Sequence, residues 1–127
     1  NNENIKRYLR YLTETKKDKQ FILLSYPEVT PLLKELAQGY KNIYIHDTTT
    51  IFHTIELIRH SVQLISTDTS TVHIASGFNK PIIAMYKKDP IAFKHWNPNC
   101  SNETHILFYK ENINELNPEE IKAEWLN

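Results

Sequence analysis

Apolar positions along this chain follow two rhythms in turn. Ile5, Tyr8, Leu9 and Leu12 fall at i, i+3, i+4 and i+7, one stripe of a helix. Phe21-Ile22-Leu23-Leu24 is then an unbroken apolar run, the pattern of a parallel strand covered on both faces. Thr30-Pro31 predicts a second helix, with Thr30 as its cap, Pro31 in the first turn and Leu32, Leu33, Leu36 and Ala37 inward. Gly39 is expected to end it. A second strand is predicted at Asn42–His46, and Asp47 with Thr48-Thr49-Thr50 offers caps for a helix carrying Ile51, Phe52, Ile55 and Ile58. A strand at Val62–Ser66, a short helix from near Ser70 to Gly77 and a strand at Pro81–Tyr86 follow. Lys87–Thr104 has no clear period, and connections of that length more often serve a function than stand idle. After it come a short strand and a last helix opening at Asn117-Pro118-Glu119-Glu120, where Asn117 and Glu120 have capping-box spacing.

Strands alternating with helices of this length predict an α/β fold, a parallel sheet flanked by helices, in one domain spanning residues 1–127. No internal repeat is read. The 40% hydrophobic content fits a folded core rather than disorder. Fifteen basic and fifteen acidic residues balance to zero, so the basic excess of a nucleic-acid binder is missing and no nucleic-acid partner is expected. The segment 1–20 is locally basic, through Lys6, Arg7, Arg10, Lys16, Lys17 and Lys19. It reads either as a solvated face or as a surface for an anionic membrane or a partner domain. Cys100 is a lone cysteine and suits a reducing compartment. No apolar run approaches the ~20 residues of a membrane span.

In an open parallel sheet, ligands bind beyond the carboxyl ends of the strands. The turn Ser66-Thr67-Asp68-Thr69-Ser70-Thr71-Val72-His73 delivers an acid and several hydroxyls to such an end, just where a helix starts. The unpaired amides and positive dipole end of that helix suit a phosphate. Thr69, Ser70 and Thr71 add hydroxyl donors, and His73 is spaced to reach the same mouth. Taken singly, Asp68, Thr69 and Ser70 are ordinary capping residues; their combination at this mouth is the signal.

The stretch Asp68-Thr69-Ser70-Thr71-Val72-His73-Ile74-Ala75, then Lys80-Pro81-Ile82-Ile83-Ala84-Met85-Tyr86, Asp89-Pro90 and His95-Trp96-Asn97-Pro98 resembles the C-terminal domain of the ADP-heptose:lipopolysaccharide heptosyltransferases, glycosyltransferase family 9. The likeness is sharpest over residues 62–98. It implies a Rossmann-like sheet forming the C-terminal, donor-binding half of a GT-B enzyme. The donor would be a nucleotide-sugar, an ADP-sugar above others, and the acceptor lipopolysaccharide or another glycan. By the same resemblance Asp68, Thr69, Ser70, Thr71 and His73 match residues that hold the donor's diphosphate and sugar, with His73 and Asp68 serving the chemistry. Glu28 falls near the acid that accepts from the ribose hydroxyls. His46 borders the base or is simply a polar strand end. The catalytic base would lie on an N-terminal domain of the same polypeptide, so this chain alone is expected to transfer no sugar. The location implied is cytoplasmic, at the inner face of the inner membrane.

The sequence departs from the family pattern at two points. Ser70 stands where the family has glycine, which leaves less room at the phosphate. Lys87-Lys88 follows Tyr86 where glycine is usual; these cations either bind phosphate or face solvent. Trp96 either anchors the long loop or stacks on sugar or base. Two glycines exclude a Gly-rich dinucleotide fingerprint and a P-loop. The absence of an Asp-x-Asp pair leads us to expect no obligatory metal and no other cofactor. The alternatives are a GT-B enzyme using a UDP- or GDP-sugar and a flavodoxin- or receiver-like binding module, although Ser25-Tyr26-Pro27 lacks the acids a receiver needs.

Overall fold

A computed structural model describes residues 2–67, 70–89 and 102–127. The chain divides into two compact units, Asn1–Thr54 and Ile55–Asn127. Four helices, α1 (Asn2–Thr15), α2 (Thr30–Leu36), α3 (Ile51–His60) and α4 (Ser70–Gly77), alternate with β1 (Phe21–Ser25), β2 (Ile43–Asp47), β3 (Leu64–Thr67), β4 (Ile82–Lys87) and β5 (Thr104–Tyr109). Every described strand pair is parallel: β1 with β2 in the first unit, and β3-β4-β5 in that order in the second. The expected α/β alternation is therefore present, with the strands shifted by one or two residues.

In the first unit, α1 buries Leu9 and Leu12 of its predicted stripe. Thr13 is also buried, and its hydroxyl donates to Leu9 O at 2.6 Å, so no polar group is stranded there. The register pairs Ser25 with Asp47 and Ile22 with Tyr44. Ile22 and Tyr44 are 49% and 50% exposed, so β1 and β2 are not covered on both faces as the apolar run suggested. The run reads the same whether one face or two are buried.

Two capping expectations for α2 are corrected. Thr30 is the first helical residue, not the cap; that position belongs to Val29. Tyr26 O accepts from both Val29 N–H and Thr30 N–H, at 2.9 and 3.1 Å, which frees the Thr30 hydroxyl for other partners. The helix closes at Ala37, and Gly39 lies beyond it with φ +88, a turn conformation that glycine adopts without strain. Thr50 behaves as expected at the start of α3, accepting from His53 N–H at 3.4 Å.

In the second unit, Ile82, Ile83, Ala84, Met85 and Tyr86 of the central strand β4 are all buried. Val72 and Ala75 of α4 are fully buried three positions apart. Asn79, at φ 53, closes this helix: Lys80 N–H returns to Ala75 O at 2.9 Å. Asn79 also accepts from Asn102 N–H at 3.0 Å, which ties the helix end to the start of β5.

The predicted last helix does not form. In its place are three single 3-10 turns, Ile113–Glu115, Pro118–Glu120 and Ala123–Trp125. Each ends in an extended residue, and those three residues, Leu116, Ile121 and Leu126, are 4%, 0% and 6% exposed. The segment is thus a five-residue recurrence, INELN, PEEIK, AEWLN, where no internal repeat was expected. On an α-helix, residues five apart turn by ~140° and cannot share one face. A turn followed by two extended residues brings them to the same side. Asn117 N–H does donate to Glu120 Oε2 at 2.6 Å, so the capping interaction read from the sequence exists on a 3-10 turn.

Candidate functional site

Each unit gathers its candidate residues at the carboxyl edge of its own parallel sheet. In the second unit β3 ends at Thr67 and α4 begins at Ser70. Asp68 and Thr69 lie outside the described residues. Ser70 and His73 are exposed on the first turns of α4. Thr71 Oγ1 lies 2.7 Å from Ser66 Oγ, so this hydroxyl also fastens the helix start to the strand that precedes it. Lys87 ends β4, exposed, two residues beyond the Met85 that pairs with Thr67. Lys88 N–H donates to Tyr109 O at 2.7 Å, which carries the β4–β5 ladder one bond past Lys87. The edge therefore holds helix amides, hydroxyls, an imidazole and an exposed ammonium group on adjacent elements. That set is suited to an oxyanion.

Ser70 is the first residue of α4, and Asn79 is the one non-glycine residue with positive φ among those described. The backbone at Ser70 is thus an ordinary one, and the family's glycine is not needed there for conformation.

In the first unit, Glu28 lies exposed in the turn between β1 and α2 and forms no hydrogen bond among the described residues. His46 is the exposed penultimate residue of β2, its Nδ1 3.1 Å from Asp47 O. Its ring meets that of His53 edge-on, with centroids 6.2 Å apart. Between Glu28 and His46 is a polar network that the sequence did not reveal. Buried Thr30 lies 2.8 Å from Ser25 Oγ and donates to the Asp47 carboxylate. Thr48 donates twice to Ser25 O, from N–H and from Oγ1, each at 2.8 Å. No motif announces this arrangement, since Thr30 looks like a cap and Asp47 like the entry to a helix.

Among the described residues, no group of three or more His, Cys, Asp or Glu side chains is placed to hold a metal ion. Among them also, no helix is long and apolar enough to cross a membrane.

A parallel α/β architecture with polar side chains gathered at its carboxyl edges is the class of fold in which open sheets hold their ligands. Within that class the lineage is specific. Residues 6–123 match the family model for glycosyltransferase family 9 (heptosyltransferase), and the chain belongs to that family. Its fold is similar to that of the E. coli heptosyltransferase WaaC, solved with ADP, at a TM-score of 0.67 and 15% sequence identity. The match covers 98% of this chain and 36% of WaaC, so the chain spans about a third of that protein's length. A search of curated proteins found no match.

Proposed function

We propose that residues 1–127 are the nucleotide-sugar-binding domain of a two-domain glycosyltransferase, the C-terminal half of a GT-B enzyme. The observation that carries this reading is the start of α4 at the carboxyl edge of β3, inside the segment matched to the family. In it, the diphosphate docks on the amides of α4, with Thr69, Ser70, Thr71 and Lys87 adding donors. His73 stabilises the charge that develops on the leaving diphosphate. Asp68 accepts from the sugar, and Glu28 accepts from the two vicinal ribose hydroxyls. His46 and its neighbours border the base.

The donor in this reading is an ADP-sugar carrying heptose or a related sugar, a choice supported by the ADP of the WaaC structure. The acceptor is lipopolysaccharide core or another glycan. The acceptor's base comes from an N-terminal domain of the same polypeptide, and no obligatory metal takes part. Work at the cytoplasmic face of the inner membrane follows from that acceptor. The exposed Lys6, Arg7 and Arg10 of α1 offer contacts to anionic lipid.

Thermal unfolding of the chain with ADP, UDP and GDP tests the reading. A ligand at a hundred times its Kd stabilises the folded state by about 2.7 kcal/mol, a shift of several degrees. ADP is expected to give the largest rise. A larger rise with UDP or GDP replaces the donor, and no rise with any of the three overturns the nucleotide site.

A further inference from the structure

β1 and β2 end side by side, Ser25 paired with Asp47. From these ends the chain leaves in two turns: residues 26–29, carrying Glu28, and the residues after Asp47, beginning with Thr48. Thr30, buried at 6% exposure, stands between them. Its hydroxyl oxygen has three oxygen neighbours: Ser25 Oγ at 2.8 Å, Tyr26 O at 3.0 Å and, closest, Asp47 Oδ1. A hydroxyl has one proton to give, and an ionised carboxylate can only accept. The Thr30 proton therefore goes to Asp47, the charge-assisted partner. Ser25 Oγ, whose other acceptor Tyr26 O lies at 3.4 Å, then donates to the nearer Thr30 Oγ1. The result is a directed relay, Ser25 to Thr30 to Asp47, in which each bond polarises the next.

The relay joins three pieces of chain: the end of β1, the start of α2 and the end of β2. The two bonds from Thr48 to Ser25 O fasten the second turn to the same point. The turn that carries Glu28 is held at both ends, at Ser25 and at Thr30. A valine at position 30 would fill the same volume and leave α2 intact, because Tyr26 O already receives the amides at the helix start. What threonine adds is a second link between the two turns, at the far end of the one that carries Glu28.

We infer that Thr30 is a positioning residue: through Ser25 and Asp47 it sets the distance between the Glu28 turn and the His46–Thr48 turn, and so the selectivity of the site for a ribose with two free hydroxyls. The inference rests on Glu28 as the acceptor of that diol. Without the relay, the Glu28 turn stays tied to β2 at Ser25 but loses its tie at Thr30, and its carboxylate meets the two hydroxyls in fewer conformations.

Calorimetric titration of the full chain with ADP and with 2′-deoxy-ADP tests it, on wild type, Thr30→Ser, Thr30→Val and Asp47→Ala. Wild type should prefer ADP by about tenfold or more, the scale of a hydrogen bond to a charged group. Thr30→Ser keeps the hydroxyl and should keep the preference. Thr30→Val should bind the two nucleotides nearly alike. Asp47→Ala, an exposed change that removes the relay's last acceptor, should do the same, and it decides the matter if Thr30→Val fails to fold. A wild-type preference retained in Thr30→Val or in Asp47→Ala overturns the positioning role. Equal binding of the two nucleotides by wild type overturns the diol role of Glu28 itself, and the inference with it.

Discussion

Replacing Ile121 with alanine tests why the C-terminal segment abandons the α-helix. Ile121 is fully buried and lies at the centre of the recurrence Leu116, Ile121, Leu126. The substitution removes three carbon atoms from water-free surroundings, a transfer loss of about 2.4 kcal/mol at about 0.8 per methylene. The cavity left behind adds to this by an amount set by how far its walls relax, for an expected cost of about 2–5 kcal/mol. Leu116→Ala and Leu126→Ala should cost nearly as much, since those side chains are almost as buried. Exposed Glu124→Ala should stay within about 0.5 kcal/mol. Urea unfolding followed by far-UV circular dichroism gives each difference. An α-helix through this segment would place the three apolar residues ~140° apart, leaving at least one of them cheap to truncate. If any of the three alanine variants loses less than about 1 kcal/mol, the five-residue burial pattern is not what holds the segment.

Two further outcomes are expected. His73→Ala should weaken ADP binding by about 1–3 kcal/mol in calorimetry while leaving the unfolding midpoint nearly unchanged, because His73 is exposed on α4; equal affinities would remove it from the site. Glu115 accepts from the amides of Lys110, Glu111 and Asn112 at 2.9, 2.9 and 3.0 Å, and these bonds hold its carboxyl below the ordinary carboxylate range. A lowered folded-state pKa means stability present above the unfolded value of about 4.3 and lost as pH falls through the lowered one. Glu115→Gln should therefore be less stable than wild type at neutral pH, by a margin that closes in acid; a margin independent of pH would refute the assignment.

The strands were legible because continuous apolar runs such as Ile82–Tyr86 have few other uses in a chain of this size. The start of α4 was legible for a related reason: an apolar strand followed at once by hydroxyl residues and a second apolar stretch is the pattern of a strand leading into a helix. The C-terminal segment was not, since a period of five matches neither the strand rhythm of two nor the helix rhythm of 3.6. Pro118 and the Asn117–Glu120 pairing point to a helix start, and they cannot tell an α-turn from a 3-10 turn that stops after three residues. The Ser25–Thr30–Asp47 relay was hidden because its members lie far apart in sequence. Threonine before proline reads as a cap whenever nothing distant competes for its hydroxyl. Glu28, His46, Ser70, Thr71, His73 and Lys87 could all be placed at carboxyl edges by topology alone, whereas the partners of His46 and Thr71 could not.

The two departures from the family pattern can now be weighed on conformation. Glycine is indispensable where the backbone takes positive φ, as at Gly39, or where another group must come closer than a Cβ allows. Ser70 opens α4 with an ordinary backbone, so the first reason does not apply. What the serine changes is room and chemistry: a Cβ and a hydroxyl stand at the first residue of the helix. Lys87 likewise ends β4 in regular pairing with Tyr109, so it alters the charge at the edge and not the path of the chain. Both departures thus leave the path of the chain unchanged, and in the proposed reading they act on the face that meets the diphosphate. On that proposal the serine narrows the face and the lysine makes it more positive, the combination expected of a site that keeps its phosphate and changes what the phosphate carries.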